Sequence, residues 1–145
     1  MTTSPTPHVA PLVQSWLKLW NGDFSRAEEL IAPDFRVHAA LLGGGDGSAL
    51  SGTQGLIQWI APTRAVAPDL TFQIEVSPIE QGDLMALRWQ AVGSYAGGFP
   101  GAAAPVGTAI AMTGTDLLRV EGGRLAEDWV NSDVHALLAQ LQVNG

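Results

Sequence analysis

The sequence predicts one α+β domain in which helices precede a meander of antiparallel strands. Apolar residues recur at helix spacing in the first part of the chain, and the period changes to two from Leu70 onward. Short turns that contain glycine separate the later segments, as in hairpins. Helices gathered before hairpins are typical of α+β folds and not of a doubly wound sheet. The 145 residues suffice for one domain with one substantial core.

The helices are predicted from apolar spacing and from residues that start or stop a helix. Residues 1–7, rich in Ser, Thr and Pro, are expected to form a loose tail before a single domain of residues 8–145. Predicted helices cover residues 9–20, 27–31 and 53–66, and a last one begins at Asp133. Pro62 lies inside the third helix and is expected to kink or shorten it.

The strands are predicted from alternation and from the turns between them. They cover residues 35–40, 70–76, 84–95, 108–120 and 124–131. A flexible loop is expected at 43–52, and the Gly/Pro/Ala-rich connection 96–107 is expected to act as a mobile mouth loop. A curved sheet of this kind wrapped over its helices would enclose a cone-shaped pocket.

Composition excludes several classes of partner. The net charge of −7 and the pI of about 4.6 argue against nucleic acid and anionic membranes, which need clustered Lys and Arg. No cysteine, signal peptide or apolar run of spanning length is seen, so a cytoplasmic protein is expected. Hydrophobic residues at 46% and five Trp exceed what a bare core needs, and the surplus could line a pocket or a subunit interface.

Several catalytic motifs are missing. The GGGDGS segment lacks the Lys-Ser/Thr ending of a phosphate loop, no two histidines stand at metal-ligand spacing on one element, and no serine-centred nucleophile elbow is present. We therefore expect no cofactor and no metal.

Several segments together resemble the SnoaL-like polyketide and ester cyclases of the NTF2-like superfamily. They are LVQSWLKLWNGDFSRAEELIAPDF (12–35), APDLTFQIE (67–75), GDLMALRWQAVGSYAGGFPG (82–101), TGTDLLRVEGGRLAEDWVNSD (113–133) and LLAQL (137–141). The resemblance implies an NTF2-like cone-shaped barrel with a central pocket, a homodimer, and a small apolar carbonyl or polyketide-like ligand. It also implies a base near the start of the last helix, and the matching residue is Asp133.

Asp133 has two interpretations that can coexist. It follows Asn131-Ser132 and precedes an apolar helix, so it could be an N-cap. The resemblance favours a catalytic carboxylate inside the pocket, where burial would raise its pKa and suit it to general-base catalysis near neutral pH.

Strand alternation assigns its neighbours to faces. If Asp133 points inward, then Asn131, Trp129 and Glu127 also point inward, while Asp128 and Val130 point outward. On the preceding strand, the resemblance suggests that the pocket face carries Thr113, Thr115, Leu117 and Arg119, with Asp116 on the other face. Related cyclases pair the base with a histidine on this strand, which this sequence lacks, so ring closure of an anthracycline precursor is in doubt.

Further candidates come from single residues. His38, the one histidine within a strand, is predicted to line the pocket beside the base and to orient water or polarise a carbonyl. Trp89 and Trp59 are predicted pocket walls, and Tyr95 a hydrogen-bonding group at the pocket edge. Arg88 faces away from Trp89. Related epoxide hydrolases use an Asp–Arg–Asp set of which only Asp133 matches, so that activity is disfavoured.

Three hypotheses follow. The first is an enzyme that abstracts a proton alpha to a carbonyl, closes a ring by aldol attack or activates water without a cofactor. The second is a non-catalytic protein that binds an apolar molecule in the same pocket. The third is a dimerisation domain, which predicts a pocket filled by side chains.

Overall fold

Helices and strands follow the predicted order. A computed structural model describes residues 9–41 and 44–143, and the predicted tail of residues 1–7 lies outside these ranges. The helices are α1 (Val9–Trp20), α2 (Ala27–Leu30), α3 (Gly52–Val66) and α4 (Val134–Gln140). The strands are β1 (Ile31–His38), β2 (Thr71–Gln81), β3 (Leu84–Ser94), β4 (Ala109–Glu121) and β5 (Arg124–Ser132).

The five strands form one curved, open sheet in the order β1-β5-β4-β3-β2. Strands β2 to β5 are an antiparallel meander, as predicted. β1 differs from the expected antiparallel pairing because it lies parallel to β5 at the sheet edge. Parallel neighbours need a long crossover, and here most of the chain lies between the two strands. The curved mixed sheet and its helices define an NTF2-like fold.

The two faces of the sheet have different compositions. The inner face, covered by helices, carries Phe35, Val37, Phe72, Met85, Leu87, Trp89, Ala91, Ile110, Asp116, Leu118 and Asp128, all of them buried. The outer face carries Arg36, His38, Glu75, Arg88, Thr113, Thr115, Leu117, Arg119, Glu127, Trp129 and Asn131. Burial of the apolar inner face is the main stabilising term of the fold.

Helix α1 is fixed at its C-terminal end by side-chain and backbone bonds. Its residues Trp16 and Trp20 are buried against the sheet. Asn21, just beyond the helix, both accepts a bond from the Phe72 backbone N–H (2.7 Å) and donates to the Phe72 carbonyl (3.3 Å). Gly22, with φ +97°, reverses the chain as predicted for a C-cap. These contacts hold α1 against β2 and so position its tryptophans.

The predicted kink at Pro62 does not interrupt α3, which continues from Gly52 to Val66. Pro62 cannot donate to the Gln58 carbonyl, and both residues lie on the exposed side of the helix, where water can satisfy that oxygen. The next carbonyl, of Trp59, accepts a bond from the Thr63 hydroxyl at 2.9 Å.

Arg64 of α3 joins three chain segments. Its guanidinium donates to the carbonyl oxygens of Trp20 (2.9 Å), Leu70 (2.6 Å) and Pro68 (2.7 Å). We expect Arg64→Ala to lower the free energy of unfolding by about 1–3 kcal/mol, since charge-assisted bonds to partly buried carbonyls are lost. Urea denaturation measures the change. Arg26→Ala, which removes only an exposed pair with Glu29, serves as the control and should cost below about 0.5 kcal/mol; equal losses in both variants would contradict the assignment.

Candidate functional site

A cavity of about 400 Å³ lies between the helices and the inner face of the sheet. Its aromatic walls are Trp16, Trp20, Trp59, Phe72, Trp89 and Phe99. Among the described residues, Asp116 is the only ionisable side chain that lines it. The structure therefore contradicts a pocket filled by side chains and has the form of a small-molecule site, with apolar walls and few polar groups.

Asp116 is placed in the cavity by the register of the sheet. It lies on β4 opposite Leu87 of β3 and Val130 of β5, and it is 4% exposed. The indole N–H of Trp16 donates to its Oδ2 at 3.4 Å. Burial raises the pKa of Asp116 to about 6, although hydrogen bonds from Asp128, Trp16 and Trp89 favour its charged form. A carboxyl of this kind can exchange a proton near neutral pH.

Asp128 is a neighbour of Asp116 on the inner face of the sheet. The two residues are diagonal neighbours on β4 and β5, because Asp116 pairs with Val130 and Asp128 lies two residues before Val130. Asp128 is fully buried, and no donor among the described residues reaches its carboxyl oxygens. Burial raises the pKa of Asp128 well above its ordinary value, and the charge of Asp116 raises it further. The two buried carboxyls therefore titrate as a coupled pair, and both hold a proton more tightly than an exposed aspartic acid does.

Asp133 lies outside the cavity, so its predicted place inside the pocket is wrong. Its side chain is 56% exposed and extends over the outer face, where Thr113 donates a hydrogen bond to it and Arg88 lies 3.6 Å away. It does occupy the N-cap position of α4, but through its backbone carbonyl, which accepts bonds from Ala136 and Leu137. A chemical role for Asp133 stays a prediction without the buried environment that motivated it.

The face assignment of β4 and β5 is reversed from the prediction. Thr113, Thr115, Leu117, Arg119, Glu127 and Trp129 lie on the outer face, and Asp116, Asp128 and Val130 lie on the inner face. The alternation counted back from Asp133 fails because the strand ends at Ser132 and Asp133 has φ −81° and ψ 63°. Apolar content gives the correct face: Ile110, Met112, Leu118 and Val120 occupy every second position of β4 and share the face of Asp116.

His38 also lies on the outer face and does not line the cavity, contrary to the prediction. Its side chain is 45% exposed, its Nε2–H donates to Glu127 Oε2 at 2.5 Å, and its ring stacks on Trp129 with centroids 5.1 Å apart. Both rings border a more open hollow, whose other described walls include Arg36, Ala40 and Asp46. Asn131 borders this hollow and also the rim of the cavity.

Glu127 is the centre of this outer-face cluster. Burial acts to raise its pKa, but hydrogen bonds from His38 and Arg119 and the charges of Arg36 and Arg119 outweigh it, so the pKa of Glu127 is lowered. Arg119 also pairs with Glu121 at 2.9 Å. Opposite charges are matched here on the surface of the sheet, which is typical of an ion-pair network that joins β1, β4 and β5.

Trp59 and Trp89 line the cavity, and their contact with a substrate stays a prediction. Tyr95 is buried but is not among the described residues that line the cavity. Its hydroxyl accepts a hydrogen bond from the backbone N–H of Phe99 (2.9 Å) and so helps to position Phe99, which does line the cavity. Arg88 faces outward, as predicted, and no arginine in the described ranges lines the cavity. The Asp–Arg–Asp set of epoxide hydrolases is thus not assembled there.

The fold agrees with the comparisons to known proteins. The model of the SnoaL-like polyketide cyclase family matches residues 10–141, and the chain belongs to that family. IdmH of Streptomyces antibioticus, a candidate polyketide cyclase, is 31% identical, with a TM-score of 0.75 over 92% of this chain and 98% of that one.

More distant structures share the fold. TsrD of Streptomyces laurentii has 21% identity and a TM-score of 0.78, over 98% of this chain and 100% of its own. A Catenulispora acidiphila protein with a ketosteroid isomerase-like fold, solved with trimethylamine, has 21% identity and a TM-score of 0.70, over 98% and 96% of the two chains. No curated protein sequence matches this chain.

Within residues 9–41 and 44–143, no helix is long and apolar enough to cross a membrane. In the same ranges, no group of three or more His, Cys, Asp or Glu side chains could hold a metal ion.

Proposed function

We propose that the protein is a cofactor-independent cyclase or isomerase in which Asp116 is the general base. The observation that carries this proposal is that Asp116 is, among the described residues, the single ionisable group in an aromatic cavity, with a second buried carboxyl next to it. Membership of the SnoaL-like family supports the reaction class. The proposed substrate is a small apolar carbonyl or polyketide-like molecule.

The proposed reaction moves one proton out and back. The Asp116 carboxylate removes a proton from a carbon alpha to a carbonyl, which gives an enolate and a protonated Asp116. The enolate carbon attacks a second carbonyl of the same molecule, a carbon–carbon bond forms, and the new alkoxide takes the proton from Asp116. Without a second carbonyl in reach, return of the proton to another atom of the enolate is an isomerisation. General-base action of this kind contributes about 10²–10⁴-fold.

In this proposal, Asp128 helps to keep the Asp116 carboxyl ionised. A protonated Asp128 donates to Asp116 and stabilises its charged form, so that a buried base is available near neutral pH. Because no described cation lines the cavity, the enolate oxygen would be stabilised by neutral donors. Besides Asp116 and the tryptophan indoles, the polar side chains that line the cavity in the described part of the chain are Gln58, Thr63, Asn131 and Ser132.

The pH dependence of turnover tests the proposal. Linear 1,5-diketones provide a probe, because their aldol closure gives a six-membered ring, and both deuterium exchange alpha to the carbonyl and ring closure can be followed by NMR. We expect kcat/KM to rise through about pH 6 as Asp116 loses its proton, because the carboxylate is the active form. Asp133→Asn should keep the same inflection. The absence of an inflection in the rate between pH 5 and 8 would contradict Asp116 as the base. An inflection that Asp133→Asn abolishes would indicate that the base is Asp133, on the outer face.

A binding protein is the second candidate, and the aromatic cavity walls favour it as well, because they bury an apolar ligand whether or not chemistry follows. This candidate predicts binding of the same diketones with neither exchange nor ring closure in the wild-type protein.

A further inference from the structure

Gly114 lies in the middle of β4 and has no backbone reason to be glycine. It is not among the described glycines with positive φ, so an alanine could adopt its conformation. A glycine inside a strand weakens the strand, and its presence commonly marks a close approach by another group. The group that approaches here is the side chain of Trp89, which pairs with Gly114 from β3.

The indole of Trp89 occupies the space that a side chain at residue 114 would need. A Cβ on Gly114 would lie 2.2 Å from Cζ2, 2.7 Å from Cε2 and 2.8 Å from Cη2 of that indole. The ring cannot easily move away, since Trp89 is 6% exposed and packs against Phe72 with ring centroids 5.2 Å apart.

This position brings Trp89 to the proposed base. Asp116 lies two residues after Gly114 on the same face of β4, so a ring that crosses Gly114 extends toward its carboxyl. We propose that Gly114 and Trp89 are positioning residues: the missing side chain of Gly114 lets the Trp89 indole lie across β4 and direct its N–H at Asp116. The catalytic meaning of this inference rests on the proposed function of Asp116, whereas the geometry of Gly114 and Trp89 does not.

The groups around Asp116 come from three elements. Trp16 of α1 donates an indole N–H, Asp128 of β5 is the titratable neighbour, and Trp89 of β3 supplies the second indole. Loss of the Trp89 donor would leave the Asp116 carboxylate with fewer hydrogen bonds. The Asp116 titration midpoint should therefore rise by about 0.5–1 pH unit, the value expected for one modest hydrogen bond.

Carboxyl titration by ¹³C NMR of the full chain, with no substrate present, tests this inference. The Asp116 signal is assigned by its absence in Asp116→Asn. We expect Gly114→Ala and Trp89→Phe each to raise the midpoint, and the double variant to match Trp89→Phe alone because both changes remove one contact. Thr115→Ala, the next residue on the outer face, is the control and should leave the midpoint unchanged.

The inference is overturned if Trp89→Phe, or a folded Gly114→Ala, titrates as wild type, or if the double variant shows the sum of the two shifts. If Gly114→Ala does not fold, the smaller phenyl ring introduced by Trp89→Phe should restore folding in the double variant; failure to do so also overturns it. Failure of the base assignment is a separate result, since it appears as retained turnover in Asp116→Asn and leaves these midpoints unaffected.

Discussion

Asp116→Asn is expected to lower turnover by about 10²–10⁴-fold, because an amide cannot accept the proton that the proposed reaction removes. Asn has nearly the same shape as Asp, and it can still accept a bond from the Trp16 indole N–H. Ligand affinity should therefore change little, and the loss should appear in kcat and not in the dissociation constant. Stopped-flow turnover and isothermal titration of the same diketone measure the two quantities.

The matched control is Asp133→Asn, which makes the same chemical change on the outer face. Its turnover should stay within about twofold of the wild-type value, because the changed side chain is exposed and lies away from the proposed reacting atoms. Loss of activity in Asp133→Asn with retention in Asp116→Asn would reject the cavity carboxyl as the base. Equal binding by both variants of a ligand that the wild-type protein never turns over would support the binding-protein candidate.

Asp128→Asn is expected to stabilise the protein at alkaline pH. Both buried acids have folded-state pKa values above the ordinary 3.8, with Asp116 at about 6, so the folded state binds more protons than the unfolded state between these values. Their contribution to stability is therefore greatest below pH 4 and falls as pH rises. For Asp116 the loss above pH 6 is on the order of 3 kcal/mol. An amide at residue 128 cannot ionise, so the part of the loss that comes from Asp128 itself should be absent in the variant.

Thermal unfolding of wild type and Asp128→Asn between pH 4 and 9 measures this effect. The variant should have the higher Tm at pH 8, by several degrees, and the difference should shrink toward pH 4. The comparison is made at each pH because the pKa values of Asp23, Asp46, Asp69 and Glu127 are lowered and change stability in the opposite direction. Asp34→Asn, an exposed carboxyl, is the control. A lower Tm for Asp128→Asn at pH 8 would contradict the expectation that ionisation of Asp128 destabilises the folded protein.

Local pattern was sufficient for most of the fold. Helix spacing from Val9 to Trp20 and alternation from Leu70 to Val76 are set by neighbours along the chain. α1 and β3 lie within one residue of their predicted bounds, whereas β1 begins four residues earlier and β2 ends five residues later than predicted. The parallel partner of β1 was not predicted, since pairing between β1 and β5 joins residues far apart in the sequence. Of the predicted binding residues, Trp59, Trp89 and Asn131 line the cavity.

The sequence by itself determined the α+β class, the order of its elements and an apolar pocket, because these depend on periodicity and composition. Only the tertiary structure decided which carboxyl lies in that pocket. A shift of one residue exchanges the two faces of a strand, so the choice between Asp133 and Asp116 depended on where β5 ends and on its register with β4. Likewise, the meeting of Trp89 with Gly114 and of Asp116 with Asp128 arises from cross-strand register, which no local pattern encodes.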